Sequence, residues 1–260
     1  MSLARDPVTP AAPEPAALAR AIQLRLVFNI RDLGGLRTVD GRTVRRGRVF
    51  RADGVHRLAG EDLEIVRALG LRTVIDLRTE QEVGRGRFPV EQHPVDWHHV
   101  PLMASIWSDD GFVPSASAAD FLRDRYLDMV VHGGDSLART LTLIAERGPV
   151  LFHCAAGKDR TGVVAAVLLG LLDVPRDDIA ADYHASAEAM VTFADWLAVE
   201  FPAARNAMTN QPADYLDAPA EAMYGFLEQV DALYGSMEGL VEQLGVPAHT
   251  VTSLRSSLLD

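Results

Sequence analysis

The only cysteine and the only lysine of this 260-residue chain fall within one decapeptide, HCAAGKDRTG, residues 153 to 162. Cys154 and Arg160 are separated by five residues, with an apolar run before them (Pro149 to His153, PVLFH) and another after them (VVAAVLLGLL). Strand, seven-residue loop and helix in that order put a thiol and a guanidinium at the two ends of a turn that opens onto a helix N-terminus. Such a turn suits a tetrahedral dianion. Backbone N–H groups of Ala155, Ala156, Gly157, Lys158, Asp159 and Arg160 can point inward, Gly157 supplies the permissive turn, and the helix dipole adds positive charge at the same place. The planar fork of Arg160 can hold two phosphate oxygens in parallel hydrogen bonds, which a lysine cannot do.

The nucleophilic form of a cysteine is the thiolate, and cations and helix N-termini favour it. In-line attack by Cys154 on phosphorus would give a cysteinyl-phosphate and release an alcohol or phenol, and water would then hydrolyse that intermediate. Thr161 is placed to donate to the sulfur as it leaves, and Thr161 and Gly162 are expected to complete the phosphate-binding loop. The departing oxygen needs a proton, and Asp159 is the nearest acid in sequence. Asp76, Asp109 and Asp110 are rival acids, and Asp159 could instead merely brace Arg160. Two other readings of the loop stay open: a phosphate-binding module without turnover, and a sulfurtransferase-like loop, although the Arg-Thr-Gly after the loop speaks against the latter.

These residues need an α/β frame. Arg72 to Leu77 (RTVIDL) and Pro149 to His153 are β-branched or apolar runs that read as buried strands, with helices expected over about 117–131 and 136–146 between them. Strands separated by helices imply parallel crossovers, and ligands of such sheets sit at the carboxyl ends of strands, where Cys154 falls. Upstream, a small hairpin turns at Asp40-Gly41, RVFRA (residues 48 to 52) alternates as a strand, and a short helix closes at Gly70. From about Arg176 the chain reads as helical. The fold class expected is therefore α/β, a mostly parallel central sheet flanked by helices. Residues 1–20, rich in Ala and Pro, read as a loose tail, and 21–260 as one domain.

Composition narrows the partners. The 36 acidic residues exceed the 25 basic ones, a formal charge of -11, which argues against nucleic acid and against a broadly basic membrane surface. A lone cysteine forms no internal disulfide and no thiolate cluster, and the histidines lack ligand spacing, so neither metal nor cofactor is expected. No apolar run approaches the ~20 residues of a membrane span, and no signal segment opens the chain, so a cytoplasmic location without integral membrane association is expected, export by another route being left open.

HCAAGKDRTG resembles the signature of the cysteine-dependent phosphatases, and in particular the bacterial tyrosine phosphatases typified by mycobacterial tyrosine phosphatase B. The likeness extends to Asn29-Ile30-Arg31-Asp32-Leu33-Gly34-Gly35, to the segment Arg46 to Ala52, to Asp76-Leu77-Arg78 and to Tyr234-Gly235-Ser236-Met237-Glu238, and so spans about 24–260. Ile30 departs from it, standing where the family usually carries an aromatic, and no proline follows Trp107, so the movable W-P-D loop of the larger tyrosine phosphatases is missing. The resemblance implies a phosphatase acting on phosphotyrosine, sometimes on phosphoserine, phosphothreonine or phosphoinositides, with the loop aspartate as acid and a helical lid at about 187–230. On that reading Lys158 could bind a second phosphate of an inositol lipid. His153, and the pairs Arg31 with Asp32 and Asp76 with Arg78, are expected to support the loop, plain ion pairs being the other reading. Met190, Phe193 and Trp196, three apart, form either a core stripe or an apolar lid over an aryl phosphate.

Overall fold

The computed structural model describes residues 20–105, 117–202 and 217–260. Residues 1–19 of the expected tail and the acids Asp109 and Asp110 lie outside those residues, whereas Arg20, the last residue assigned to the tail, is buried against Asp182. Five strands form one sheet: β1 (Arg31–Asp32), β2 (Val49–Ala52), β3 (Thr73–Asp76), β4 (Asp96–His99) and β5 (Val150–His153), in the order β1-β2-β5-β3-β4. β2, β5, β3 and β4 run parallel, and only the β1 edge is antiparallel. The three inner strands are buried along their whole length, which is why β3 and β5 read as β-branched or apolar runs, while β2 also buries Arg51. β4 (DWHH) is a partly exposed edge strand, and it carries no hydrophobic period to announce it.

Strand alternation sends side chains to two separate cores. Val49, Ile75, Val150 and Phe152 join the larger one, while Phe50, Val74 and Leu151 face the smaller one with Val27, Ile30, Leu63 and Phe88. Ile30 is thus an ordinary apolar member of the smaller core. The helix α1 (Gly60–Ala68) covers that face with Leu63 and Val66, and ends before Gly70, whose φ of +66° suits a residue without a Cβ. The short α2 (Glu80–Val83) follows β3.

On the other face lie α3 (Ala118–His132), α4 (Gly134–Glu146), α5 (Asp159–Leu171) and α6 (Arg176–His184); α7 (Ser186–Glu200) follows and packs its rings on Phe28, and α8 (Ala220–Tyr234), α9 (Met237–Gln243) and α10 (Ala248–Leu258) complete the larger-core face. Helix α5 is buried on nearly every side, as its uniformly apolar sequence requires. Of the range expected for a lid, 203–216 lie outside the described residues, and the described remainder divides in two. Met223, Phe226 and Val230 of α8 are fully buried in the larger core, so α8 is part of the body, while α7 carries Val191, Val199 and the following Phe201 on its outside. No described helix is long and apolar enough to cross a membrane.

Candidate active site

Ala52, His153 and Asp76 stand level in adjacent strands, so the residues that follow them emerge at one edge of the sheet. Cys154 leaves the central strand there, buried beneath the loop that leads to α5. The loop's shape is fixed by where its carbonyls go. That of Cys154 accepts from His153 Nδ1 at 3.2 Å, that of Ala155 from the Gly54 amide at 3.0 Å, that of Ala156 from Asn29 Nδ2 at 3.0 Å, and that of Gly157 from Arg51 Nη2 at 2.7 Å. Four consecutive carbonyls turned outward oblige the next four amides, those of Ala155, Ala156, Gly157 and Lys158, to point the opposite way, into the cup. Gly157 has φ +67°, and a Cβ there would meet the Ala52 carbonyl and the Asp53 nitrogen at 2.7 Å, so only glycine fits.

Arg160, the second residue of α5, is held end-on by Glu82, with Nη1 to Oε2 at 2.5 Å and Nη2 to Oε1 at 2.9 Å. A guanidinium has five N–H donors, so three remain for an anion in the cup. Burial opposes the charge of Arg160, but the Glu82 hydrogen bonds, then the charges of Cys154 and Glu82, raise its pKa above the ordinary value. Glu82 is itself set by a capping box at the start of α2: the Thr79 amide and hydroxyl donate to Oε2 at 2.8 and 3.0 Å. Burial would raise the Glu82 carboxyl, yet the Arg160 bonds outweigh it and hold it down at about 2.

The expected supporting residues fall into different roles. Arg78 donates to both oxygens of Asp76, at 2.9 and 2.7 Å, and also to the carbonyls of Glu82 and Gly86, so this pair anchors the α2 turn that carries Glu82. It is ion pair and loop support at once. Asp76 is fully buried there, with His153 Nε2 3.5 Å away. Arg31 and Asp32 do not pair with each other, because neighbours on a strand point to opposite faces. Arg31 binds Asp182 at 3.0 Å and Asn29 Oδ1 at 2.5 Å, reaching the loop through the Asn29 amide on Ala156. Asp32 accepts from the amides of Gly34 and Gly47 and so braces neighbouring turns.

Asp182, on α6, gathers Arg20, Arg31 and Arg51 around one buried carboxylate, at 2.7, 3.0 and 2.5 Å. Burial alone would raise its pKa, but the three arginines hold it far below the usual carboxylate range. Arg51 carries the arrangement directly to the Gly157 carbonyl. Asp53 similarly ties the Phe28 and Asn29 amides and the Arg57 guanidinium.

Lys158 is buried, with Nζ 2.8 Å from Asp159 Oδ1 and 2.8 Å from the Asp217 carbonyl. Its charge is committed to the acid beside it. Asp159 Oδ1 also accepts from Tyr126 at 2.8 Å, and its side chain stays about one-fifth exposed. The Thr161 hydroxyl is buried and has no hydrogen-bond partner among the described residues, and Gly162 packs against the Tyr183 ring. Met190 is buried, whereas Phe193 and Trp196 are half-buried and gather with Phe28 around the Arg57 guanidinium, 5.1 to 5.8 Å from the three ring centres.

Glu82, Arg51, Asp182, Tyr126 and Tyr183 were not singled out by the sequence reading. Two of them left a trace: Thr79-x-x-Glu82 has capping-box spacing, and Arg51 is a charge inside the strand VFRA. The other three look like unexceptional helix residues.

A buried thiol below a ring of inward amides, with a clamped arginine across from it, defines a cysteine-dependent phosphatase. The profile of the tyrosine phosphatase family matches residues 22–260, and the chain belongs to that family. It is 31% identical to a candidate tyrosine-protein phosphatase of Cupriavidus necator, over 91% of this chain and 89% of that one. The triple specificity protein phosphatase PtpB of Mycobacterium tuberculosis is 28% identical, over 89% of this chain and 96% of its own. A tyrosine-protein phosphatase of Nostoc commune is 29% identical, over 78% and 71%.

Proposed function

We propose that this phosphatase hydrolyses phosphotyrosine in proteins in two steps, with Cys154 as nucleophile, Arg160 as phosphate holder and Asp159 as acid. The observation that carries the reading is the run of four outward carbonyls, since it commits the loop amides to an anion directly above Cys154. In the first step the sulfur attacks phosphorus, the bond to the tyrosine oxygen breaks, and Asp159 protonates the departing oxygen. In the second, the Asp159 carboxylate takes a proton from water, the water oxygen bonds to phosphorus, and the sulfur leaves with the electron pair of its bond. The unpartnered Thr161 hydroxyl supports a role as donor to that sulfur. Arg160 and the amides stabilise the charge on the transferring group in both steps, the kind of preorganised contact that contributes most in phosphoryl transfer.

Lys158 is buried and directs two of its three donors to Asp159 and the Asp217 carbonyl, which favours protein substrates over inositol lipids. Phe28, Phe193 and Trp196 supply an apolar wall beside Asn29, and α7 is the portion of the expected lid that fits this role. The test is phosphate release from a phosphotyrosine peptide, with phosphoserine peptide and phosphoinositide alongside. Cys154→Ser is expected to bind the phosphotyrosine peptide without turnover, and vanadate to inhibit the wild type while chelators do not. Chelator-sensitive turnover that survives Cys154→Ser would sink the mechanism.

A further inference from the structure

Asp159 meets both of its protein donors through a single oxygen. Tyr126 O–H and Lys158 Nζ each lie 2.8 Å from Oδ1, and Oδ2 has no donor among the described residues. Tyr126 comes from α3 and is fully buried, as is Tyr183 of α6, whose hydroxyl lies 2.5 Å from that of Tyr126. Because Tyr126 gives its hydrogen to Asp159, the hydrogen between the two phenols must come from Tyr183. Burial first, then the charge of Asp159, raises both phenols well above their ordinary pKa, so each stays a donor wherever the enzyme works.

Resting on the assignment of Asp159 as acid, we infer that Tyr126, backed by Tyr183 and flanked by Lys158, is a positioning residue that fixes which oxygen of Asp159 carries the transferable proton. Two donors aimed at Oδ1 exclude a proton from that atom, since an O–H there would face an O–H and an ammonium. The proton is thereby confined to Oδ2. A carboxyl tied at one oxygen to a buried phenol also loses the rotation that would turn Oδ2 away from the leaving oxygen. Neither tyrosine hydroxyl bonds to Arg160 or to a loop amide, so their effect is expected only where a proton must be delivered.

That dependence gives the test. An acid matters for a leaving group such as phenol, whose pKa lies near about 10 like that of tyrosine, and matters far less for an acidic nitrophenol. kcat/KM would be measured on phenyl phosphate and on 4-nitrophenyl phosphate for the wild type, Tyr126→Phe, Tyr183→Phe and Asp159→Asn, with vanadate inhibition as a check on the cup. General acids contribute about 10²- to 10⁴-fold, so loss of positioning in Tyr126→Phe should cost about tenfold on phenyl phosphate. On the nitrophenyl ester the loss should stay below about threefold, with vanadate inhibition unmoved. Tyr183→Phe should shift the two substrates in the same direction by less, and it decides the matter should Tyr126→Phe fail to fold. Equal losses on both esters, or none on either, overturn the inference if Asp159→Asn still discriminates between them. If Asp159→Asn treats both esters alike, the acid itself is misassigned and the inference falls with it.

Discussion

The loop is supported by two charged clusters on opposite faces of the sheet, and they hold different things. On the larger-core side, Asp182 and its three arginines hold the backbone of the loop, through Arg51 on the Gly157 carbonyl and through Arg31 and Asn29 on the Ala156 carbonyl. On the other side, Asp76, Arg78 and Glu82 hold a side chain, the guanidinium of Arg160. The first cluster is sealed from water. The second is also buried at Asp76, Arg78 and Glu82, and it meets the surface only through the half-buried His56. Buried charges that bind backbone carbonyls confer shape, and a clamp on a guanidinium confers orientation. The cup therefore owes its form to one face and its grip on an anion to the other.

Removing the centre of the sealed cluster should have the largest effect. Asp182→Asn leaves three buried guanidinium groups facing one another without their carboxylate, and breaking a buried charge pair costs about 3–5 kcal/mol. Thermal or urea unfolding should show a loss of that size, together with a loss of activity on every ester. A stable Asp182→Asn enzyme would mean that the backbone of the loop does not depend on this cluster.

Glu82→Gln should separate the two faces. It keeps the volume of the clamp and removes its charge, so unfolding should show a smaller loss than Asp182→Asn while vanadate inhibition and kcat/KM weaken by about tenfold, the scale of a charge-assisted hydrogen bond. A large fall in stability with unchanged vanadate binding would reverse the roles given to the two clusters.

The smallest effect belongs to His56, whose Nδ1 lies 3.2 Å from Arg78 Nη1. Burial first, then the charges of Arg57 and Arg78, push its pKa from 6.5 down to about 4. Between those values the unfolded chain binds the proton that the folded one refuses, so stability is fully present above the ordinary value and declines as pH falls toward about 4. The Glu82 carboxyl, lowered from 4.5 to about 2, withdraws its own contribution only at still lower pH. His56→Gln should flatten Tm against pH in the upper window and leave the lower one unchanged; an unaltered slope in the upper window would remove His56 from the second cluster.

What could be read in the sequence was whatever is decided over short distances along the chain. The thiol, the turn glycine, the arginine and the helix N-terminus lie within seven residues, so their mutual geometry follows from a strand, a tight loop and a helix in succession. The inner strands were legible because burial on both faces demands continuous apolar runs, and β4 was not, because a half-exposed edge strand does not. Even the choice between Arg31 pairing with Asp32 or serving the loop turned on partners that lie elsewhere.

Those partners are what tertiary structure alone decided. Glu82 is 78 residues from Arg160, Asp182 is 151 from Arg31, and Tyr126 is 33 from Asp159. No local period or propensity marks a charge or a phenol that will be completed by another element. Only the packing of α2, α3 and α6 around one edge of the sheet brings these groups within hydrogen-bond reach, and burial there makes each of them need the partner it finds.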